Sequence, residues 1–314
     1  MGIGSGKELC ELANGVDEKY GITGYGEVKW VLGMLLERDR AAHTISLSQE
    51  AFIDLVLARF QLTDATPVST LFPPNVQLSA ADCPTSKVEV REMKTYPYRG
   101  LVGALAWLVL GTQPDIVFAA SSLARFSHNP GRTHWEAAKC VLRYLKGTKN
   151  WCLMLGGLAS ALAVYTDADW GSHQDDWRLV GAYLVKIGDG VVSWKSKKQT
   201  CITLSSTEAE YMALCQASKE SVWMADFLGS LGVSLQGLVV INADNQGSIA
   251  LTRNLVFHDQ LKHINIQYHF VRDLIRAGRI SLNYVPTAKM LADLLTKSLP
   301  HARHLCLSKA IRLL

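Results

Sequence analysis

The sequence predicts an α/β fold over residues 158–314, a mixed five-stranded sheet with flanking helices, after a mostly helical segment over residues 1–157. The main observation is that the strand and helix patterns of the second part follow the order β-β-β-α-β-α-α-β-α, which implies a mixed sheet with helices on its faces. A second observation is that the longest patterns of the first part are helical. With 48% hydrophobic and 19% charged residues, the chain has an ordinary globular composition, and disorder does not describe it.

The elements of the first part are separated by stretches that contain Pro and Gly. An apolar strand over residues 28–38 and a short alternating strand over residues 43–47 predict a hairpin. A helix is predicted over residues 48–60, with Ser48 as its N-cap. Residues 66–94 are rich in Pro, Ser, Thr and Asp and predict a long connector. Three packed helices are expected after the connector, over residues 98–110, 116–126 and 134–145.

The last of these helices carries a row of cations. Lys139, Arg143 and Lys146 are spaced by four and three residues, which places them on one face of a helix. Such a face could follow a phosphate backbone, and a solvated helix surface is the simpler alternative.

The second part begins with three predicted strands. The first covers residues 162–167, and strands over residues 180–187 and 190–196 form a hairpin that turns at residues 188–190. A long helix over residues 205–228 opens with Ser-Ser-Thr-Glu, a capping pattern. The remaining predicted elements are strands over residues 238–243 and 280–285 and helices over residues 245–252, 262–277, 290–297 and 301–313.

Composition and the terminal sequence argue against several classes of protein. The seven cysteines contain no C-x-x-C pair, so neither a zinc site nor a disulfide framework is predicted. The formal net charge of +4 permits a polyanionic partner without requiring one. Residues 1–7 lack the apolar stretch of a signal peptide. The longest strongly apolar run, residues 101–110, is too short for a membrane span of about 20 residues. We therefore expect an intracellular protein, in the cytoplasm or nucleus, that makes no membrane contact.

Four acidic residues lie where predicted strands end and helices begin. Asp167 and Asp244 follow apolar strands, and Glu210 lies about one turn into the long helix. Asp293 lies in a short helix after the last strand. If the two strands are neighbours, Asp167 and Asp244 project from the same edge of the sheet. Clustered carboxylates repel one another, and Mg²⁺, which prefers oxygen ligands, would offset that repulsion. Acids at strand ends are common, so on spacing alone unrelated surface acids and helix caps remain the alternative.

Six sequence motifs surround these acids. They are YTDADW (165–170), SWKSKKQ (193–199), LSSTEAEYMAL (204–214), ADNQGSI (243–249), KHINIQYHFVR (262–272) and YVPTAKMLADLLTK (284–297). In this order they resemble the C-terminal ribonuclease H domain of copia-type (pseudovirus) retrotransposon polyproteins. The resemblance runs from about residue 160 to the C terminus and implies a ribonuclease H-like fold for residues 158–314.

The upstream part resembles the same polyproteins. Its motifs are GEVKWVLGM (26–34), ISLSQEAFIDLVLARF (45–60), YRGLVGALAWLVLGTQPDI (98–116) and HWEAAKCVLRYLKGT (134–148). They resemble the end of the reverse transcriptase, so residues 1–157 are expected to be a thumb and connection remnant. In the family a Tyr-Val-Asp-Asp polymerase motif precedes this region. The chain does not contain that motif, so the resemblance implies no polymerase activity. The remaining N-terminal portion of the reverse transcriptase is an expected partner.

The resemblance also implies a set of site residues. Four carboxylates match the metal ligands and catalytic residues of the family: Asp167, Glu210, Asp244 and Asp293. The implied cofactors are two Mg²⁺ ions, with Mn²⁺ as an alternative. Glu210 rather than Glu208 matches the ligand because it precedes Tyr-Met-Ala-Leu. Periodicity cannot choose between Asp167 and Asp169, two residues apart on one face of a strand, and the family motif favours Asp167.

Polar residues beside the acids are candidates for contact with sugar and phosphate oxygens of a nucleic acid. They are Lys197, Lys198, Ser205, Ser206, Asn245, Gln246 and His263. Contacts to a 2′-hydroxyl would distinguish RNA from DNA. The alternatives, which stay open, are helix capping, turn chemistry, solvated lysines and a packed histidine.

The function that the resemblance implies is endonucleolytic hydrolysis of the RNA strand of RNA–DNA hybrids, with water as the nucleophile. Two departures from the related sequences are evident. The second strand has Leu179 and Val180 where the family has a Ser/Thr-rich stretch, and residues 286–291 lack the histidine of cellular ribonucleases H. Neither departure removes a carboxylate, although Lys289 is a poor substitute as a base. The rival hypotheses are a catalytically silent nucleic-acid-binding relic and another metal-dependent nuclease or strand-transfer enzyme on the same fold. A third is a misassembled or non-expressed gene copy.

Overall fold

The structure is a computed structural model of the 314-residue chain. It describes residues 15, 18–19, 21, 27–72, 76–156, 161–169, 179–199, 205–233, 235, 237–253 and 262–314, with only the backbone at residues 253 and 262–266.

The first sheet in the described chain is antiparallel. Its strands, in spatial order, are β1 (Trp30–Val31), β2 (Met34–Asp39), β3 (Thr44–Ser48) and β4 (Leu153–Gly156). The predicted hairpin is confirmed as β2 and β3. The single strand predicted over residues 28–38 is wrong, because the chain turns back at Leu32 and Gly33, where φ is 51° and 77°. No strand was predicted for β4. It pairs with β3, which is distant in the sequence, and local sequence patterns do not indicate such a pairing.

Helices of the first part enclose one apolar core. They are α1 (Glu50–Arg59), α2 (Lys87–Met93), α3 (Tyr98–Gly111), α4 (Val117–Ala124) and α5 (Arg132–Gly147), with short 3₁₀ helices at Ala80–Asp82 and Pro114–Ile116. The three helices predicted after the connector are confirmed as α3, α4 and α5. Leu101 and Leu105 of α3 pack with Leu142 and Leu145 of α5 in this core, and all four are fully buried.

Two local predictions in the first part are wrong. The connector predicted over residues 66–94 contains the helix α2. Its N-cap Ser86 accepts the N–H of Glu89, and the Glu89 carboxylate accepts the N–H of Ser86, both at 3.2 Å. This capping box stabilises a helix inside a Pro- and Ser-rich stretch. Ser48 is the last residue of β3 rather than the N-cap of α1, a position that Gln49 holds.

The second sheet is the mixed five-stranded sheet that the sequence predicts. Its strands are β5 (Leu162–Asp169), β6 (Val180–Ile187), β7 (Gly190–Lys198), β8 (Val239–Ala243) and β9 (Ile280–Tyr284), in the spatial order β7-β6-β5-β8-β9. The strands β5, β6 and β7 are antiparallel, whereas β5, β8 and β9 are parallel. The predicted hairpin of β6 and β7 turns at Gly188, whose φ of 58° is a conformation that favours glycine.

Helices cover both faces of this sheet. They are α6 (Ser206–Ser230), α7 (Gln246–Arg253), α8 (Lys262–Arg276), α9 (Asp293–Thr296) and α10 (His301–Ala310), with a 3₁₀ helix at Thr287–Lys289. Side chains alternate between the faces along β6: Tyr183 and Val185 pack in the cluster with α6 and α8, whereas Ala182 and Leu184 pack with α9 and α10. None of the described helices has both the length and the apolar character that crossing a membrane requires.

Both parts of the chain contribute to the α9 and α10 side of the sheet. Val117 of α4 and Leu153 of β4 share one buried apolar cluster with Leu184, Leu294 and Leu307. Apolar packing therefore crosses the boundary predicted between residues 157 and 158, and that boundary stays a prediction.

A buried polar contact joins the two parts within the same region. The Tyr144 hydroxyl donates to Asp115 Oδ2 at 2.5 Å, and His304 Nε2 lies 3.1 Å from the backbone oxygen of Asp115. The Tyr144 and His304 rings meet edge to face, with centroids 5.4 Å apart. Burial raises the pKa of Asp115, and the charge of His304 and the Tyr144 hydrogen bond partly oppose that rise.

We predict that Tyr144→Phe lowers the free energy of unfolding by about 1–3 kcal/mol, because it leaves a buried acceptor on Asp115 without its donor. Urea denaturation would measure the change. Tyr284→Phe, at a tyrosine that is 45% exposed, is the matched control and should leave the denaturation midpoint unchanged. Equal midpoints for the two variants would show that the Tyr144 hydrogen bond contributes nothing.

Candidate metal centre

The parallel pairing of β5 and β8 brings two of the predicted carboxylates together. Thr166 is paired with Ala243 in the register, so the next residues, Asp167 and Asp244, lie side by side where the pairing of the two strands stops. The strands are thus neighbours, as the sequence argument required. One detail differs from the prediction: β5 continues to Asp169, so Asp167 lies within the strand and not at its end.

The start of α6 positions the third carboxylate. Ser205 is the N-cap, and its hydroxyl accepts the N–H of Glu208 at 3.2 Å, so the predicted capping pattern is confirmed. Glu210 follows within the first two turns, on the buried side of the helix that packs against β5. The backbone N–H of Ala168 in β5 donates to the Glu210 carboxylate and ties the helix start to the strand.

One oxygen from each of three carboxylates meets in a single cluster, within 4.8 Å of one another: Asp167, Glu210 and Asp244. Asp167 and Glu210 are 1% and 8% exposed, and Asp244 is half-buried, so the cluster opens to solvent on the Asp244 side. Neither Asp169 nor Glu208 belongs to this group among the described residues. The geometry therefore favours the acids chosen from the family motifs over their two rivals.

Asp293, the fourth predicted ligand, lies beside this cluster rather than in it. It is 3% exposed, and its Oδ1 accepts Lys297 Nζ at 2.7 Å. Its Oδ2 faces Arg303 Nη2 at 3.4 Å. Its negative charge still raises the pKa of Asp167, so Asp293 is within electrostatic reach of the cluster. The arrangement is three carboxylates and a fourth neighbour, and the role of the four as metal ligands stays a prediction.

Two threonine hydroxyls orient the strand carboxylates. Thr287 Oγ1 donates to Asp244 Oδ2 at 2.7 Å, and Thr296 Oγ1 donates to Asp167 Oδ2. Both threonines lie in the YVPTAKMLADLLTK motif that also holds Asp293. Sequence reasoning singled out neither of them, because a hydroxyl in a loop or a short helix has many local partners. The sequence signal that could have identified these threonines is their position in the same motif as the candidate ligand Asp293.

Lys297 is the main site residue that sequence reasoning missed. Its Nζ lies 3.2 Å from Asp167 Oδ2 and 2.7 Å from Asp293 Oδ1, so one ammonium group bridges two buried carboxylates. Burial would lower the pKa of Lys297, but the charges of Asp167 and Asp293 outweigh burial and raise it. The spacing of four residues from Asp293 was a signal for the first contact. The contact with the strand residue Asp167 has no local signature.

Burial and mutual repulsion make the cluster hard to ionise fully. Burial raises the pKa of Asp167 to about 6, against the opposing effects of Lys297 and Thr296. Burial, with the added repulsion of Asp167 and Asp244, raises the pKa of Glu210 to about 9. Both shifts favour the neutral acid, so an added positive charge would stabilise the ionised cluster.

The donor set fits a hard divalent cation. All three clustered groups offer carboxylate oxygens, the ligands that Mg²⁺ takes in proteins. Glu210 Oε2 is buried and has no hydrogen-bond partner among the described atoms, a costly arrangement that a cation would relieve. Asp167, Glu210 and Asp244 are thus the residues that would hold such an ion.

The predicted nucleic-acid contacts fall into two groups. Ser205 and Asn245 are used in helix capping, since the Asn245 carboxamide oxygen accepts the N–H of Ser248 at 2.8 Å. The exposed candidates are Lys197, Ser206 and Gln246, and Lys198 is half-buried at the end of β7. His263 falls within α8, but its side chain lies outside the described residues. The nucleic-acid roles of all seven residues stay predictions.

Two of the three cations in the row on α5 bind backbone oxygens at residues 65–66 of the chain itself. Arg143 Nε donates to the backbone oxygen of Thr66 at 2.7 Å, and Lys146 Nζ donates to that of Ala65 at 2.8 Å. Lys139 pairs with Glu136 at 2.8 Å. These contacts explain the pattern structurally, so the row is not needed as a phosphate-binding surface.

Comparison with known proteins gives the family. The chain is 38% identical over 299 residues to the retrovirus-related Pol polyprotein from transposon TNT 1-94 of Nicotiana tabacum, covering 95% of this chain and 22% of the relative. It is also 38% identical over 292 residues to that from transposon RE1 of Arabidopsis thaliana, covering 93% of this chain and 19% of the relative. Over most of its length the chain is therefore similar to retrovirus-related transposon Pol polyproteins. It spans about a fifth of the length of these curated relatives. No protein-family model matches the chain.

The solved structures that resemble this chain include a ribonuclease H1 called LC11, in complex with an RNA/DNA hybrid. It is 13% identical, with a TM-score of 0.32, and the alignment covers 41% of this chain and 88% of that one. The five-stranded mixed sheet with helices on both faces confirms the predicted ribonuclease H-like class of the second part of the chain.

We predict that, without divalent ions, the protein loses stability as the pH rises from about 5 to about 9. Glu210 has a pKa of about 9 in the folded protein, against about 4.3 in an unfolded chain. The folded state therefore holds a proton that the unfolded state has released, and the free energy of unfolding falls across this interval.

Thermal melts in EDTA at both pH values would test this prediction. The melting temperature of Glu210→Gln should fall less than that of the wild type between the two pH values. Glu37→Gln, at an exposed glutamate, should behave like the wild type. A Glu210→Gln profile parallel to that of Glu37→Gln would contradict the prediction.

We also predict that millimolar Mg²⁺ raises the melting temperature of the wild type at about pH 8, because an ion that binds only the folded state stabilises it. Glu210→Gln should lose most of this increase, and Glu37→Gln should keep it. An unchanged or lowered wild-type melting temperature would count against a preformed metal centre.

Proposed function

We propose that this chain hydrolyses the RNA strand of RNA–DNA hybrids in a reaction that depends on divalent metal ions. The observation that carries the proposal is the convergence of Asp167, Glu210 and Asp244 where two parallel strands stop pairing and one helix starts. These are three of the four acids that the resemblance to copia-type ribonucleases H implies as metal ligands.

The three clustered carboxylates would hold the ion, and Asp293 would share a second one with Asp167. When bound, a pair of Mg²⁺ ions supplies an activated water and neutralises the charge on the departing oxygen of the phosphodiester. The chain needs no protein nucleophile for this chemistry. Thr287 and Thr296 keep Asp244 and Asp167 oriented through their hydroxyl groups, so the ligands need little rearrangement.

Side chains at the rim of the cluster would recognise the substrate. Ser206 and Gln246 are exposed and begin α6 and α7, next to Glu210 and Asp244 in the fold. Their hydroxyl and carboxamide groups suit contact with a 2′-hydroxyl, which selects RNA. Lys197 is exposed on β7 and suits contact with a backbone phosphate. Ser205 and Asn245 act instead as helix caps.

The proposal predicts that Asp244→Asn abolishes cleavage of an RNA–DNA hybrid in Mg²⁺ while leaving the fold intact. Electrostatic stabilisation by the metal is worth several kcal/mol, and about 1.4 kcal/mol is a factor of ten, so the rate should fall about 10²-fold or more. Asp64→Asn, at an exposed aspartate, is the matched control and should cleave like the wild type.

The assay should compare a hybrid, double-stranded RNA and duplex DNA, each with Mg²⁺ and with EDTA. Hybrid cleavage that requires Mg²⁺ and Asp244 would support the proposal. Undiminished cleavage by Asp244→Asn would refute it. If the chain binds the hybrid without cleaving it, and binding weakens steeply as the salt concentration rises, the chain is a silent binding relic. Preferential cleavage of double-stranded RNA or duplex DNA would indicate a different nuclease.

A further inference from the structure

One cationic side chain lies between the clustered carboxylates and their fourth neighbour. Lys297 Nζ is within 3.2 Å of Asp167 Oδ2 and within 2.7 Å of Asp293 Oδ1. Asp167 is also one of the three acids of the metal cluster. The ammonium group thus lies between the two carboxylates that would share the second ion of the proposed function.

Three of the four carboxylate oxygens of Asp167 and Asp293 already contact side chains of the chain itself. Asp167 Oδ2 accepts Thr296 Oγ1 as well as facing Lys297. Asp293 Oδ1 accepts Lys297, and Asp293 Oδ2 faces Arg303 at 3.4 Å. Arg303 is held in place because its guanidinium also donates to the backbone oxygens of Thr287 and Ala288.

The other side of the cluster differs. Glu210 Oε2 is buried without a hydrogen-bond partner among the described atoms, and no lysine or arginine is within 4 Å of Glu210 or Asp244 among the salt bridges of the described residues. A cation could bind Glu210 Oε2 and Asp244 Oδ1 without removing the hydrogen bond that Thr287 donates to Asp244 Oδ2. A cation shared by Asp167 and Asp293 would need an Asp293 oxygen, and those oxygens contact Lys297 and Arg303.

We propose that Lys297 is a built-in counter-cation that makes metal binding sequential: the first ion binds at Asp167, Glu210 and Asp244, and the second binds between Asp167 and Asp293 only by displacing the Lys297 ammonium group. This inference rests on the proposed function. It adds a positioning residue that keeps Asp167 and Asp293 together before the second ion arrives. It also sets the concentration of metal at which the second site fills.

Direct binding of Mn²⁺ to the full chain, without nucleic acid, tests the proposal. The EPR signal of free Mn²⁺ would give the stoichiometry and both dissociation constants. The wild type should bind one ion tightly and a second ion weakly. Lys297→Gln should tighten the second ion about tenfold, because a positive charge in contact with its ligands is removed. The first ion should change much less.

Two variants serve as controls. Lys297→Arg keeps the charge and should bind the second ion as weakly as the wild type does. Lys289→Gln makes the same change of charge at an exposed lysine of the neighbouring turn and should also resemble the wild type. Equal second-site affinity in Lys297→Gln and Lys289→Gln would overturn the inference.

A measurement on the wild type covers the case in which Lys297→Gln fails to fold. In protein labelled with ¹⁵N at the lysine side chains, the Lys297 ammonium signal should move with the second equivalent of Mg²⁺ and not with the first. Movement with the first equivalent, or none through saturation, would overturn the sequential order. A wild type that binds no Mn²⁺ at all would overturn the proposed function and this inference together.

Discussion

Three carboxylates lie within 4.8 Å of one another, and two of them are buried. The free-energy cost of this arrangement is the constraint on which the second part of this protein depends. Removal from water is the largest cause of the raised pKa of both Asp167 and Glu210, and mutual repulsion adds to it. A folded chain can offset this cost by retaining protons or by placing cations against the oxygens. Lys297 and Arg303 supply cations on the Asp293 side. The cluster oxygens that neither of these side chains contacts would be stabilised by a divalent ion.

The scaffold that imposes this constraint reaches beyond the second part. The strands β5 and β8 fix Asp167 and Asp244 through their backbone register, and α6 brings Glu210 against them. The position of α9, which carries Asp293, depends on apolar packing shared with α4 and β4 of the first part. The Tyr144 contact with Asp115 and His304 reinforces the same junction. The first part therefore supports the site without contributing a ligand to it.

Much of this arrangement could be predicted because it is encoded locally. Alternation of strand and helix predicted the class of the second sheet. Apolar strands followed by acids predicted that Asp167 and Asp244 meet if those strands are neighbours. The family motif chose Asp167 over Asp169, a choice that periodicity could not make because both lie on one strand face.

The rest depends on long-range contacts that leave no local pattern. The strand β4 forms because β3 offers it an edge, and the break at Leu32 and Gly33 depends on which residues pair with β2. Likewise, nothing local to Asp293 shows whether its carboxylate joins the metal cluster or pairs with Lys297 and Arg303. The second outcome depends on where α9 and α10 pack.

The most direct test of the central claim is anomalous scattering from crystals of the wild type soaked in Mn²⁺. We expect a first peak in contact with oxygens of Asp167, Glu210 and Asp244, at about 2.0–2.3 Å, close to the distances of hard divalent ions from oxygen ligands. Peaks that lie only at exposed acids elsewhere, with this cluster unchanged at saturating Mn²⁺, would contradict it.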